Sequence, residues 1–182
     1  MTARSSAPRR MRPLAVLDAH GVFIDYASLF GRRDQAGDIV MPGAFRASLK
    51  LRGTAGIRML FQHNPAEPVG SWLNIAENDK GLHVRGRLNL KVQRGRELAA
   101  LPVEHGLDGL SIGFKTIEAS RERASGARLL HRIDLWEISL VTFPMLSGAR
   151  VTGIKADARA AANAIFANTR STLEGVRYGT RT

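Results

Sequence analysis

Ser111 stands at the centre of Gly109-Leu110-Ser111-Ile112-Gly113, inside the apolar stretch LDGLSIGF at 107–114. A serine hydroxyl becomes a nucleophile when one neighbour removes its proton and a second orients that neighbour. The G-x-S-x-G spelling usually marks the nucleophile turn of an α/β-hydrolase, whose triad runs Ser, acid, His along the chain. After Ser111 the only histidine is His131, 20 residues on and inside an expected strand. Too little chain follows to complete such a sheet. The α/β-hydrolase reading is therefore excluded and a nucleophilic serine is not. The competing reading is a small residue packed in a crowded strand.

A base and an orienting group have candidates elsewhere. His63 ends the apolar run IRMLFQH at 57–63, just before Asn64-Pro65, so its ring is expected at the edge of a sheet. The other histidines have simpler places: His20 and His105 precede glycines in turns, His83 alternates outward beside Val84, and His131 falls among arginines. No two are spaced as metal ligands, and no metal or other cofactor is expected. Glu137 lies in LWEISLVTF, where an ionised carboxylate among apolar neighbours is costly unless paired. An arginine salt bridge or a histidine N–H would each relieve that cost. Asp134 and Asp108 compete for the same role, but strict strand alternation turns Asp134 to the other face, and Asp108 suits a turn before Gly109.

The elements that must position these groups can be read from pattern. Residues 14–30 are strand-like, 31–38 a turn-rich loop, and Pro42 is expected to start a short helix with Phe45, Leu49 and Leu51 on one side. The run 57–63 reads as a strand stopped by NPAEP. VGSWLNIAE and GLHVRGRLNL read as an antiparallel pair around NDKG, with Leu82, Val84 and Leu88 alternating. Residues 91–103 suit an amphipathic helix on Val92, Leu98 and Leu101. Strands follow at 107–119 and 128–143, then a short one in GARVTGI and an alanine-rich helix at 155–170. Many strands with two or three helices in no regular alternation predict a mostly β fold with peripheral helices, a largely antiparallel barrel. The domain is expected over 14–154, between a disordered basic arm at 1–13 and an alanine-rich, basic tail at 155–182.

The 182 residues carry 27 Lys+Arg against 16 Asp+Glu, a net charge of +11, with no cysteine. Disulfides, thiolate metal sites and a cysteine nucleophile are thereby excluded. No apolar run is long enough to span a membrane as a helix, and the basic N-terminus lacks the hydrophobic region of a secretory signal, so a cytoplasmic protein is expected. Much of the charge excess sits at the ends, in Arg4, Arg9, Arg10 and Arg12 and in Arg159, Arg170, Arg177 and Arg181. Aromatic residues are not interleaved with the basic ones, so nucleic acid is expected to bind non-specifically at most.

Four words in order, FIDYASLFGRRDQAGDIVMPGAF, IRMLFQHNPAEPVGSW, LDGLSIGF and IDLWEISLVTFPMLSGARV, resemble the prohead (capsid maturation) proteases of tailed bacteriophages, also found in phage-derived gene transfer agents. The resemblance covers roughly residues 20–152. It implies the fold shared with the herpesvirus assemblins, a closed β-barrel ringed by helices with the serine on a strand. The family's histidine falls on His63 and its nucleophile on Ser111. Where assemblins carry a second histidine, this chain carries Glu137, a carboxylate able to orient an imidazole. The oxyanion loop falls on SGARV, naming Gly148, Ala149 and Arg150.

The resemblance further implies a serine endopeptidase at work inside the immature capsid, cutting scaffold segments of the major capsid protein and itself, and associating as a homodimer. The alternatives are a noncatalytic assembly protein of the same fold, a basic nucleic-acid-binding barrel, and a general esterase.

Overall fold

The structure is a computed structural model that describes Asp18, residues 20–100, residues 109–146 and Ala149. The expected arm, the tail helix, the strand after Pro144 apart from Ala149, His105, Asp108 and Leu101 all lie outside the described residues. Among the described residues seven strands and two helices follow in the order β1 (Val22–Leu29), β2 (Asp38–Val40), α1 (Arg46–Arg52), β3 (Arg58–Phe61), β4 (Asn64–Glu77), β5 (Gly81–Leu88), α2 (Gln93–Ala100), β6 (Gly109–Arg121) and β7 (Arg128–Val141).

The strands form one sheet in which β1, β5, β4, β3 and β7 are successive neighbours. β6 lines one edge of β7 throughout its length, while β2 and β3 share the other edge, at Arg128–Leu130 and Glu137–Leu140. Both of these pairings are parallel, so the sheet is less uniformly antiparallel than expected. The sheet curls around one core, built from Phe23, Met59, Trp72, Val84, Leu110 and Ile138 among others. The expected closed barrel is not completed by hydrogen bonds. β1 and β6 approach each other, but no ladder joins them among the described residues.

Alternation builds this sheet as anticipated in β5, where Leu82, Val84 and Leu88 are buried and Arg85 and Arg87 exposed. Gly86 sits on the same inner face, and a Cβ there would come within 2.8 Å of both the Phe23 and Trp72 rings. NPAEP opens β4 and does not stop β3. Its prolines lie before Gly70, where pairing with β5 begins, so they cost no hydrogen bond to β5. In the α1 region Phe45 is buried and Leu49 packs on the core, but Leu51 is 80% exposed. Two residues span about 200° of helix, which carries Leu51 off the face that Leu49 shares. In α2 Leu98 is buried as expected, whereas Val92 precedes the helix and is exposed.

The β6–β7 ribbon carries the irregularity that matters most. Gly113 pairs Glu137 and Phe114 pairs Leu135, so Trp136 has no partner and forms a bulge. On one side of the bulge Leu110, Ile112, Ile138 and Leu140 face the core. On the other, Phe114 and Leu135 do. The extra residue thus places Asp134 and Glu137 on the same face, against the alternation that would separate them. α1 bolts the bulge down: Leu135 N–H donates to Ser48 Oγ at 2.8 Å, and Arg52 clasps Asp134 through both carboxylate oxygens at 2.7 Å.

Candidate active site

Only Gln62 and His63 lie between the paired residues Phe61 and Asn64, so the β3–β4 turn is a two-residue hairpin loop. Both have positive φ, 52° and 58°, the signature of a type I′ turn. Asn and Gly usually fill such positions. Two side-chain-bearing residues there cost about 1–3 kcal/mol each, a strain that persists only where surroundings over-determine it. They do so here. Gln62 N–H donates to Leu140 O at 2.9 Å, Gln62 Nε2 to Thr142 Oγ1 at 2.7 Å, and His63 N–H to Ser139 Oγ at 3.1 Å. All three acceptors belong to β7 or the residue after it.

The strained turn brings His63 onto Glu137. His63 Nδ1 lies 2.6 Å from Glu137 Oε1, and Ser139 Oγ donates to Glu137 Oε2 at 2.6 Å. The ring side chain remains 42% exposed, while the carboxylate side chain is 12% exposed. The hydrogen bond to Glu137, helped by the carboxylate charge, raises the His63 pKa above the ordinary imidazole value against the opposing effect of burial. With Nδ1–H assigned as donor to the carboxylate, Nε2 is left as the acceptor. Among the described residues Glu137 forms no arginine salt bridge, the alternative open from sequence. Asp134 takes Arg52 instead, which with the Trp136 indole holds its carboxyl down at about 2.

Ser111 enters through the register. It lies directly opposite Ser139, as Gly113 lies opposite Glu137, so Ser111 shares a face with both groups that hold His63. Ser111 is 4% exposed, and its side chain makes no hydrogen bond among the described residues. Both flanking glycines have internal reasons. A Cβ on Gly113 would fall 2.8 Å from Glu137 Cδ, and one on Gly109 would fall 2.7 Å from Pro144 Cδ. The G-x-S-x-G word thus leaves room on one side for the carboxylate and on the other for a chain reversal.

Beside Ser111 a cavity of about 130 Å³ opens between β1, β2 and β6, with Val40, Leu110, Ile112, Phe114 and Met145 among its lining. Leu110 N–H donates to Ala149 O at 3.1 Å, while Leu140 O accepts from Gln62 N–H on the β3 side. Leu110 and Leu140 are therefore a non-hydrogen-bonded pair. By alternation the backbone N–H and C=O of Ile112 also point away from β7, toward the edge of β6 that Ala149 meets at Leu110.

Of the expected oxyanion loop, Ala149 alone lies among the described residues. Ala149 is buried, and its N–H donates to Leu146 O at 2.9 Å, so it is already committed and not free to face an oxyanion. Gly148 and Arg150 lie outside the described residues. Of the three expected catalytic residues, the structure pairs His63 with Glu137 directly and sets Ser111 one strand away. Sequence reasoning missed Ser139 and Gln62. The two-residue spacing of Glu137 and Ser139 on one strand was the available signal for Ser139.

The profile of the caudovirus prohead serine proteases matches residues 10–164. A prohead protease of Enterobacteria phage HK97 is 38% identical over 138 residues, 74% of this chain and 60% of that protein. The prohead protease of Escherichia phage T5 is 25% identical over 113 residues, 62% of this chain and 53% of that protein. The chain thus spans little more than half the length of these relatives. Among solved structures, the KSHV protease in complex with a hexapeptide phosphonate inhibitor superimposes with a TM-score of 0.47 at 14% identity, over 71% of this chain and 63% of that one. Varicella-zoster virus protease gives 0.34 at 16% identity, over 63% and 56%. Those overlaps are too loose to bear on the site. The match over most of the sequence is decisive, and this chain belongs to the caudovirus prohead serine protease family.

Proposed function

We propose that this chain is the serine endopeptidase of a phage or phage-derived prohead. Ser111 attacks the scissile carbonyl, His63 Nε2 takes the hydroxyl proton and returns it to the leaving amine, and Glu137 fixes the tautomer and stabilises the imidazolium. The observation that carries this reading is the 2.6 Å bond from His63 Nδ1 to Glu137, on the face of β7 that Ser111 confronts from β6. The proposed relay runs acid, base, hydroxyl, while the chain order is His, Ser, Glu. The edge of β6 away from β7, which no ladder pairs at Ile112 among the described residues, suits an extended peptide, which would add as a strand and pass its carbonyl by Ser111.

The substrates are the capsid protein's scaffold segment and the chain's own ends, met inside the immature shell. Confinement there raises local concentration enough for a slow enzyme to suffice. The positive charge draws the chain to acidic scaffold and only non-specifically to nucleic acid. The enzyme acts as a homodimer, in which weak association delays cleavage until assembly concentrates it.

The test is intact mass over time after co-expression with the cognate capsid protein. Wild type trims the capsid protein or itself, and Ser111→Ala leaves every mass unchanged. If both trim alike, the serine is not the nucleophile. If neither trims while shells assemble, the chain is an assembly factor.

A further inference from the structure

The side chain that most closely joins the parts of this site is Ser139. Its hydroxyl donates to Glu137 Oε2 at 2.6 Å and accepts the His63 backbone N–H at 3.1 Å. It lies directly across from Ser111 and is fully buried. Donor and acceptor capacities are thus both used, one on the acid and one on the backbone of the base.

We infer that Ser139 is a positioning residue of the catalytic machinery, a hydroxyl that fixes the carboxylate and the imidazole relative to each other. This inference rests on the protease reading. A carboxylate in the orienting position has two oxygens and a rotatable terminal torsion, and one bond to an imidazole leaves it free to swing. Ser139 holds the second oxygen, so Oε1 stays aimed at Nδ1. The same hydroxyl ties down the peptide of His63, where φ is +58° and the turn is held open against its own strain. Any fully buried hydroxyl must find partners, and here both partners belong to the proposed acid and base. Among the described residues the hydrogen-bond partners of the Ser139 side chain are Glu137 and His63, and it acts through them.

Removal of the hydroxyl has two separable consequences. Ser139→Ala keeps the volume and burial nearly intact but loosens the Glu137–His63 bond, so the His63 pKa falls toward the ordinary imidazole value. It also lowers the trimming rate about 10- to 100-fold, a part of the roughly 10²–10⁴-fold that a general base contributes.

The first consequence is read without activity, by NMR titration of the His63 ring in the Ser111→Ala chain, with and without Ser139→Ala. His63→Gln assigns the resonance and thermal melting checks the fold. The second is read from trimming of the co-expressed capsid protein, in a cycle with Glu137→Gln. The inference expects a lowered His63 pKa, and a Ser139→Ala effect on trimming that shrinks to a few-fold once Glu137 is Gln. Where Ser139→Ala fails to fold, Ser139→Cys, which retains a weak donor, is expected to lie between the two. A His63 pKa that stays put or rises overturns the inference, as does an undiminished loss in the Glu137→Gln background. A lowered pKa in a chain that never trims would retain the positioning geometry and discard the protease reading.

Discussion

β6 carries a serine toward each end of the β6–β7 ribbon, and the one bonded to a histidine is not the one we propose as nucleophile. Near the ribbon's far end Ser120 Oγ and His131 Nε2 are in direct hydrogen-bond contact at 2.7 Å, on an exposed surface. At the near end Ser111 makes no such bond among the described residues, yet that end carries the family's motif words. The far pair has no carboxylate on its other ring nitrogen among the described residues, and the adjacent Glu118 is engaged with Arg132 at 3.7 Å. At the near end the His63 ring is bonded to the nearly buried Glu137 carboxylate, its backbone is held in a strained turn, and Ser111 is sheltered. A hydroxyl beside an imidazole is common on protein surfaces. What separates the two ends is the set of groups behind the imidazole.

The sharpest way to break this comparison is to exchange the damage. Ser111→Ala and His63→Ala each lower trimming of a co-expressed capsid protein by at least roughly 10⁴-fold. Ser120→Ala and His131→Ala change it by less than about twofold. A matching loss at the far end would remove the distinction.

Next in size is the acid. Glu137→Gln retains the shape and lowers the rate roughly 10²–10⁴-fold, because the wrong tautomer is favoured and the imidazolium loses its partner. The sign of its pH effect is fixed by the raised His63 pKa. The base must be neutral, so the wild-type rate rises with pH through an inflection above the ordinary imidazole value, and Glu137→Gln moves that inflection down. The same bond contributes stability that is fully present below the unfolded imidazole pKa and is lost as pH rises through the folded one. Rate profiles of the two proteins check both the position and the direction.

Gly113→Ala sharpens the comparison from the other strand. The new Cβ drives into Glu137, where the overpacking costs about 1–3 kcal/mol or turns the carboxylate away from His63. Gly126, beyond the far end, has nothing within 4 Å of such a Cβ, so Gly126→Ala meets only the strain of its φ of +70° and leaves trimming unchanged. Melting curves with trimming rates distinguish the two.

The smallest effect concerns the bulge. Asp134 is held at about 2 chiefly by Arg52, so its contribution to stability is present above the ordinary aspartate pKa and lost as pH falls through about 2. Arg52→Ala returns Asp134 toward its usual value and moves the acid-unfolding midpoint up, measurable by circular dichroism.

Much of this was legible in the sequence, and the failures share a cause. Alternation located β5 and its buried face because nothing interrupts its period of two. It misplaced Asp134 relative to Glu137 because the Trp136 bulge adds a residue that no local pattern announces. IRMLFQH correctly placed His63 at a strand end, but not in a two-residue turn, since Gln-His is a poor match to the Asn-Gly chemistry of such turns. The turn is imposed by β7, through Leu140, Thr142 and Ser139, about 80 residues away. NPAEP reads as a strand breaker, yet it opens β4 where pairing with β5 has not begun. The closed barrel was an expectation of resemblance, and the structure supplies approach without a ladder between β1 and β6. Ser139 was missed for a simpler reason: its spacing of two from Glu137 puts both on one face, but a serine on a strand gives no sign of His63 until the fold sets that residue beside it.

The central claim is that the near end of the ribbon activates its serine and the far end does not. Exposure of the chain, co-expressed with its capsid protein, to a serine-directed fluorophosphonate followed by peptide mapping tests this directly. The account predicts one phosphonyl adduct, on Ser111, absent from His63→Ala and never on Ser120. An adduct on Ser120 instead, or equal labelling of Ser111 without His63, would contradict it.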